Sequence, residues 1–308
     1  MDLPKIVTDT AAQHWSRRRF MGGVASVAAL GSFAAACSLD VSQPTSVGAS
    51  RTASRTRVSK PAPTTTSTTT TTTTTASGVD AELLSQRYGL KPFAPAPRPP
   101  AVKPVTLRAS DPTVFSSVPM TDKVVFITID DGLEKEPGFI QMVQDFRVPM
   151  AIDLANLFIS DDYAYFEKLY ETGYVSIQNH TVHHPLSMPA LSASQQLNEI
   201  AGQQEILHKQ YGVTPYIFRP PGGNYDATTI AATSQAGLKG VMMWKETMQI
   251  SDMDYQTSVH RLSPGDIICC HFRGPAQLDG ETMVRMMTRL FRHIQDQGFT
   301  VADITKYV

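Results

Sequence analysis

The sequence predicts an α/β domain built on a parallel sheet or barrel, with a long non-globular segment in front of it. Three observations predict this. Apolar runs suited to strands alternate with segments that carry apolar residues at three-to-four spacing. The polar residues best suited to chemistry fall where the apolar runs end, which is where barrel folds gather their sites. Residues 1–105 hold too few apolar residues, outside one short stretch, to bury a core.

Composition bounds the rest. The chain has 308 residues and a formal net charge of −1, so no global field draws it to nucleic acid or to an anionic membrane. Cysteine is sparse, with only Cys37, Cys269 and Cys270, and a disulfide framework is not expected. Cys269 and Cys270 sit side by side in an apolar run and read as small hydrophobes of a core strand.

The N-terminus reads as a targeting signal. Ser16-Arg17-Arg18-Arg19-Phe20-Met21 precedes a weakly apolar stretch, 24–36. A positive region, a short apolar region and small residues define a secretory signal, and paired arginines followed by Phe20 match the twin-arginine type. The stretch is about 13 residues long, short of the roughly 20 that span a bilayer. Cys37 follows Ala34-Ala35-Ala36, as at a lipoprotein processing site, and a lipid anchor there would be the only membrane attachment. Cleavage at an Ala-x-Ala site, releasing a soluble protein, is the competing reading. Residues 1–37 are thus taken as a signal segment with Cys37 as a lipidation candidate.

Residues 38–105 include a Thr-rich tract, 64–75, and a Pro-rich run, 92–104. Such sequence is expected to be disordered or extended, a linker long enough to reach across a cell wall. Residues 81–90 could form one short helix. The globular domain is expected over 106–308.

Within it, the β-rich run 124–129 ends at Asp130-Asp131-Gly132. Two adjacent carboxylates at a strand end suit an active site, and alternation along a strand lets them do different jobs. Asn179-His180-Thr181-Val182-His183-His184-Pro185 places His180 and His184 four apart, a spacing that puts both imidazoles on one face of a helical turn, within reach of one metal. Phe218-Arg219-Pro220-Pro221-Gly222-Gly223 is a rigid turn after a strand. Proline has no N–H, so a backbone oxyanion donor there would be Gly222 or Gly223. In Leu262-Ser263-Pro264-Gly265-Asp266-Ile267-Ile268-Cys269-Cys270-His271, a Pro-Gly turn starts a buried strand that ends in a histidine. Helical patterns cover 139–146, 163–172, 194–211, 227–236 and 281–297, with Gly173, Gly212, Gly237 and Gly298 as stops.

These four motifs, in this order, resemble the polysaccharide deacetylase family, the NodB-homology domain of carbohydrate esterase family 4, over about 121–308. The family's T-F-D-D-G appears as Thr128-Ile129-Asp130-Asp131-Gly132, its H-S/T-x-x-H as His180 to His184, its R-x-P as Arg219-Pro220-Pro221, and its L-x-P-G-x-I-x-x-H ends at His271. The resemblance implies a distorted (β/α)7 barrel. It implies that Asp131, His180 and His184 hold a divalent metal, zinc first, with cobalt, nickel or manganese as alternatives. It assigns Asp130 as catalytic base, His271 as catalytic acid and Arg219 as the residue that orients the base. Gly222 would supply an oxyanion N–H, and Trp244 matches the family's apolar tryptophan near the substrate.

Some positions depart from the family. Leu133 stands where a proline is common, and Gly222 where a tyrosine is usual. The fourth motif lacks its aspartate, leaving Glu246 or Asp252 as substitutes to tune His271. The implied activity is removal of N-acetyl groups from an amino sugar polymer outside the cytoplasmic membrane, peptidoglycan before chitin-type oligomers or O-acetylated xylan. The competing class is a non-catalytic glycan-binding module on the same fold. A decayed enzyme would be expected to lose Asp130 or a metal ligand, and all are present.

Overall fold

A computed structural model describes residues 80–308. The twin-arginine segment, Cys37 and the linker up to residue 79 lie outside the described residues.

Residues 80–105 correct the expected linker. Helix α1 (Ala81–Tyr88) is capped by the Asp80 side chain, which accepts hydrogen bonds from the Glu82 and Leu83 N–H groups. Leu84, Tyr88 and Leu90 are buried in the main core. Tyr88 stacks on Phe146 with ring centroids 5.1 Å apart, and Phe93 meets Phe291 at 5.3 Å. Mean composition pointed to disorder, but a few apolar anchors at helical spacing are enough to seat this segment against a preformed surface.

The sheet holds strands β1 (Thr113–Phe115), β2 (Val124–Asp131), β3 (Met150–Leu154), β4 (Val175–Asn179), β5 (Ile217–Phe218), β6 (Gly240–Met242), β7 (Glu246–Met248), β8 (Met253–Tyr255), β9 (Ile267–His271) and β10 (Thr300–Val301). The order is β1-β6-β5-β4-β3-β2-β9-β7-β8, with β10 beside β2. All these pairs are parallel except β7 with β8. This is the expected barrel type in the form of an open half-barrel.

Helices α2 (Pro137–Phe146), α3 (Asn156–Ile159), α4 (Tyr163–Glu171), α5 (Ala193–Tyr211), α6 (Ala227–Gln235) and α7 (Met283–Asp296) connect the strands. α7 shows why the pattern folds this way. Thr282 caps it, and Met283, Met286, Met287, Leu290, Phe291 and Ile294 are all buried on one stripe. None of the helices among the described residues is long and apolar enough to cross a membrane.

Alternation along β2 sorts its side chains between two cores. Val125, Ile127 and Ile129 pack under the helices with Met150, Ile152, Ile268 and Cys270. Val124 and Phe126 face the interior with Ala151, Ile217, Met242 and Ile267. On that interior face the next positions are Thr128 and then Asp130, so the apolar filling ends in a polar layer at the strands' C-terminal end. Backbone register assembles that layer: Asp130 lies opposite His271 on β9 and Asp153 on β3, and Asp153 lies opposite Gln178 on β4.

Candidate active site

Three expected ligand atoms converge. Asp131 Oδ1 is 3.4 Å from His180 Nε2 and 3.1 Å from His184 Nε2, and the two Nε2 atoms are 3.2 Å apart. A tetrahedral zinc with bonds of about 2.0–2.1 Å has ligand–ligand edges of about 3.3 Å, so this triangle fits such an ion. The donor chemistry fits as well. His180 Nδ1 lies 2.7 Å from the Arg219 carbonyl. An N–H there donates to the carbonyl and turns the Nε2 lone pair toward Asp131. Burial pushes the Asp131 carboxyl up, but hydrogen bonds from His180 and His184 outweigh it and hold the group well below the usual carboxylate range. Burial lowers His180, and its Asp131 hydrogen bond and the charges of Asp130 and Asp131 raise it overall. Both shifts have one cause, the close approach of a carboxylate to two imidazoles.

The local structure of the histidine pair differs from expectation. Residues 180–187 are not a helical turn. Thr181 and His184 have φ of 71° and 54°, and Asp131 has φ of 78°. Five non-glycine residues among those described have positive φ, and three of them lie here, so backbone strain concentrates at the site. Buried Asn179 holds the loop. Its Oδ1 accepts from the Thr181 N–H at 3.0 Å, and its Nδ2 donates to the Ile200 carbonyl at 2.9 Å. The Thr181 hydroxyl accepts from the His184 N–H at 3.0 Å. Gly132 is required for a separate reason: at φ 97°, a Cβ would lie 2.4 Å from Ile159.

Asp130 and Arg219 sit beside this cluster. Arg219 is fully buried. Its Nη1 donates to both Asp130 oxygens at 3.0 Å, its Nη2 to Thr128 Oγ1 at 2.9 Å, and its Nε to the Met242 carbonyl at 2.6 Å. Its guanidinium lies over the Trp244 ring, 5.1 Å from the centroid. Trp244, expected at the substrate, thus backs the arginine, and a Cβ on Gly223 would meet its ring at 2.9 Å. The Gly223 N–H donates to the Pro220 carbonyl at 2.9 Å, which leaves Gly222, exposed at φ 62°, as the turn's candidate oxyanion donor.

His271 ends β9 in the same layer. Burial, together with the Arg273 charge and against Asp131, pushes it down to about 4. Its Nδ1 is buried without a hydrogen-bond partner among the described residues. Neither expected substitute tunes it. Asp252 accepts from the Met253 N–H at 2.8 Å. Glu246 points to the other end of β9, where it shares a hydrogen bond with Asp266. Burial first, and the Asp266 carboxylate second, push Glu246 up to about 9. The folded protein therefore keeps a proton that the unfolded chain loses above about 4.5. Stability on this account falls as pH rises from about 4.5 to about 9. Glu246→Gln should raise the melting temperature by an increment that grows from pH 5 to pH 9; an increment equal at every pH would show that the pair holds no proton.

Three further groups went unread in the sequence. Thr128 shares the interior face with Asp130, two residues on. Asp153 is fully buried in an apolar strand, and burial pushes it up to about 7 against the Arg219 charge. Cys269 donates from Sγ to Asp130 Oδ2 at 3.5 Å, so one of the two core cysteines also faces the site. Asp130, Cys269 and His271 form a second donor set close enough to hold a metal. Asp130 is already gripped by Arg219, and Asp131, His180 and His184 fit an ion without displacing any partner.

Comparison with known proteins agrees with this geometry. The sequence model of the family described as polysaccharide deacetylase matches residues 117–241. A Streptomyces coelicolor protein of uncharacterized function is 33% identical over 198 residues, covering 64% of this chain and 78% of its own. The chain belongs to the polysaccharide deacetylase family. A second relative, the peptidoglycan-N-acetylglucosamine deacetylase of Bacillus cereus, is 22% identical over 202 residues, covering 62% of this chain and 92% of its own. Among solved structures, a pseudoenzyme of carbohydrate esterase family 4 from Bacillus anthracis superposes with a TM-score of 0.52 at 16% identity, covering 64% of this chain and 69% of that one. That likeness shows the fold, and the fold is thus also found in a pseudoenzyme.

Proposed function

We propose that this polysaccharide deacetylase family member is an active, metal-dependent enzyme that removes N-acetyl groups from an extracellular or cell-wall amino sugar polymer, with peptidoglycan the favoured substrate. One observation carries the reading: a carboxylate gripped on both oxygens by a buried arginine, Asp130, lies beside a closed triangle of one carboxylate and two imidazoles. The name of the Bacillus cereus relative supports the choice of polymer.

Asp131, His180 and His184 would hold the ion, zinc before cobalt, nickel or manganese, and when bound it supplies Lewis acidity toward water and the acetyl carbonyl. Arg219 sets the direction of the Asp130 lone pairs, so Asp130 is the group placed to take a proton from the attacking water. The Gly222 N–H would donate to the oxygen that gains charge at the acetyl carbon. His271 rests neutral; it would take up a proton from solvent as negative charge develops beside it and give that proton to the leaving sugar amine. The steps balance: water supplies hydroxyl to the acetyl carbon and its proton to Asp130, the C–N bond breaks as His271 gives its proton to the nitrogen, and Asp130 returns its proton to solvent, so that the products are acetate and the protonated amine.

The test is acetate release from peptidoglycan, chitin oligomers and O-acetylated xylan by metal-loaded protein. Release from peptidoglycan fastest is the expected result; glycan binding with no acetate from any of the three would favour a non-catalytic module. Export by the twin-arginine route, with Cys37 as lipid anchor, belongs to the same proposal. Replacing Arg17 and Arg18 by lysine should keep the protein in the cytoplasm, and unchanged export would point to another route.

A further inference from the structure

One buried acid in the catalytic layer has no place in the steps above. Asp153 is fully buried on β3, and neither of its oxygens finds a hydrogen-bond donor among the described residues. A carboxylate in that state destabilises a fold, because its desolvation is not offset by hydrogen bonds. Of its register neighbours, Asp130 on β2 is a second carboxylate within hydrogen-bond reach, which favours a proton on Asp153, and Gln178 on β4 uses its Oε1 to accept from the Ile217 N–H at 3.3 Å. The charged and titratable groups that face it are Arg219, Asp130 and His180. Arg219 Nη2 lies 3.8 Å from Asp153 Oδ2. One buried guanidinium is therefore shared by two neighbouring buried carboxylates, bonded to Asp130 and drawn to Asp153.

We propose that Asp153 is a positioning residue for the catalytic base: its carboxyl group, facing Nη2 of Arg219, draws that edge toward β3, and that orientation presents Nη1 to both oxygens of Asp130. The other two anchors of the guanidinium, the Met242 carbonyl and Thr128 Oγ1, are neutral. Asp153 supplies the second acidic group within 4.0 Å of the guanidinium among the described residues. Without it, Arg219 follows Asp130, and the base loses a fixed direction. A residue that lowers stability yet sits one register position from the base is the pattern expected where function opposes stability. The role given to Asp130 rests on the deacetylase reading.

The experiment compares the full chain with Asp153→Asn, which keeps the shape, and Asp153→Leu, which removes all polarity. In both, the melting temperature should hold or rise, metal content should stay at wild type, and kcat should fall about tenfold or more with KM within about twofold. A residue that merely builds the core would lose stability and activity together. A second arm needs no turnover. In an Asp130→Asn background Arg219 is left with Asp153 as its only carboxylate partner, so adding Asp153→Asn should now lower the melting temperature. Sign reversal with an inactive wild type would sink the deacetylase reading and keep the shared arginine. Unchanged kcat, lost metal, unfolding of both variants, or an effect of the same sign in both backgrounds would overturn the inference.

Discussion

Asp130→Asn should lower kcat by about 10³-fold, which corresponds to about 4 kcal/mol of transition-state stabilisation, while the protein keeps its metal. The prediction follows from the separation of tasks between two adjacent aspartates. Asp130 points into the barrel interior, where Arg219 holds both its oxygens, whereas Asp131 turns through a φ of 78° to face the histidines. The amide keeps the size of the carboxylate and can still accept one hydrogen bond from Arg219, so the fold should persist. It cannot take the proton. Acetate release in single-turnover and steady-state assays, beside elemental analysis of the same preparation, checks both halves. A variant with wild-type kcat would remove Asp130 as base, and one that had lost its metal would show that the two aspartates do not divide the work.

The strand-and-helix pattern was legible where period and punctuation agreed. The helical patterns ending at Gly173, Gly212, Gly237 and Gly298 match α4 to α7 closely, and each of these glycines has positive φ. The run 124–129 is the part of β2 that precedes its two aspartates, and the Pro264-Gly265 turn does start β9. The identity of the ligand candidates was legible too, but not the reason they meet. Spacing four apart suggested a helix, and the chain instead uses two left-handed residues and the buried Asn179 side chain. Tertiary hydrogen bonds to Ile200 and the Arg219 backbone decide that loop, and a local pattern cannot show them.

Asp153 was hidden for a related reason. Met150–Leu154 reads as one more apolar strand, and the signal was a single charge at an inward position, visible only once β3 is registered against β2. The segment 80–105 failed in the opposite direction. Its proline content dominates any average, while Leu84, Tyr88 and Leu90 decide where it sits.

His180→Ala and His184→Ala should each empty the metal site at stoichiometric metal and stop acetate release there. Outer-sphere partners of a metal-binding histidine typically contribute about 10–100-fold in affinity, so loss of a ligand itself should weaken binding on the order of 10³-fold or more. His180 should show the larger loss. It is almost fully buried, and its Nδ1 is tied to the carbonyl of Arg219, the residue that also grips Asp130. Removing it leaves a void between Asp130 and Asp131 and frees the turn that carries Arg219. His184 is partly exposed, packs edge-on against Phe158 at 5.1 Å, and can leave with less disturbance of Asp130. Titration with zinc, followed by calorimetry and by elemental analysis after dialysis, should show one site per chain in the wild type. Added zinc should restore partial activity to His184→Ala at millimolar concentration and none to His180→Ala. Full metal content in either variant would move the metal away from this triangle, with the Asp130, Cys269 and His271 set as the alternative among the described residues.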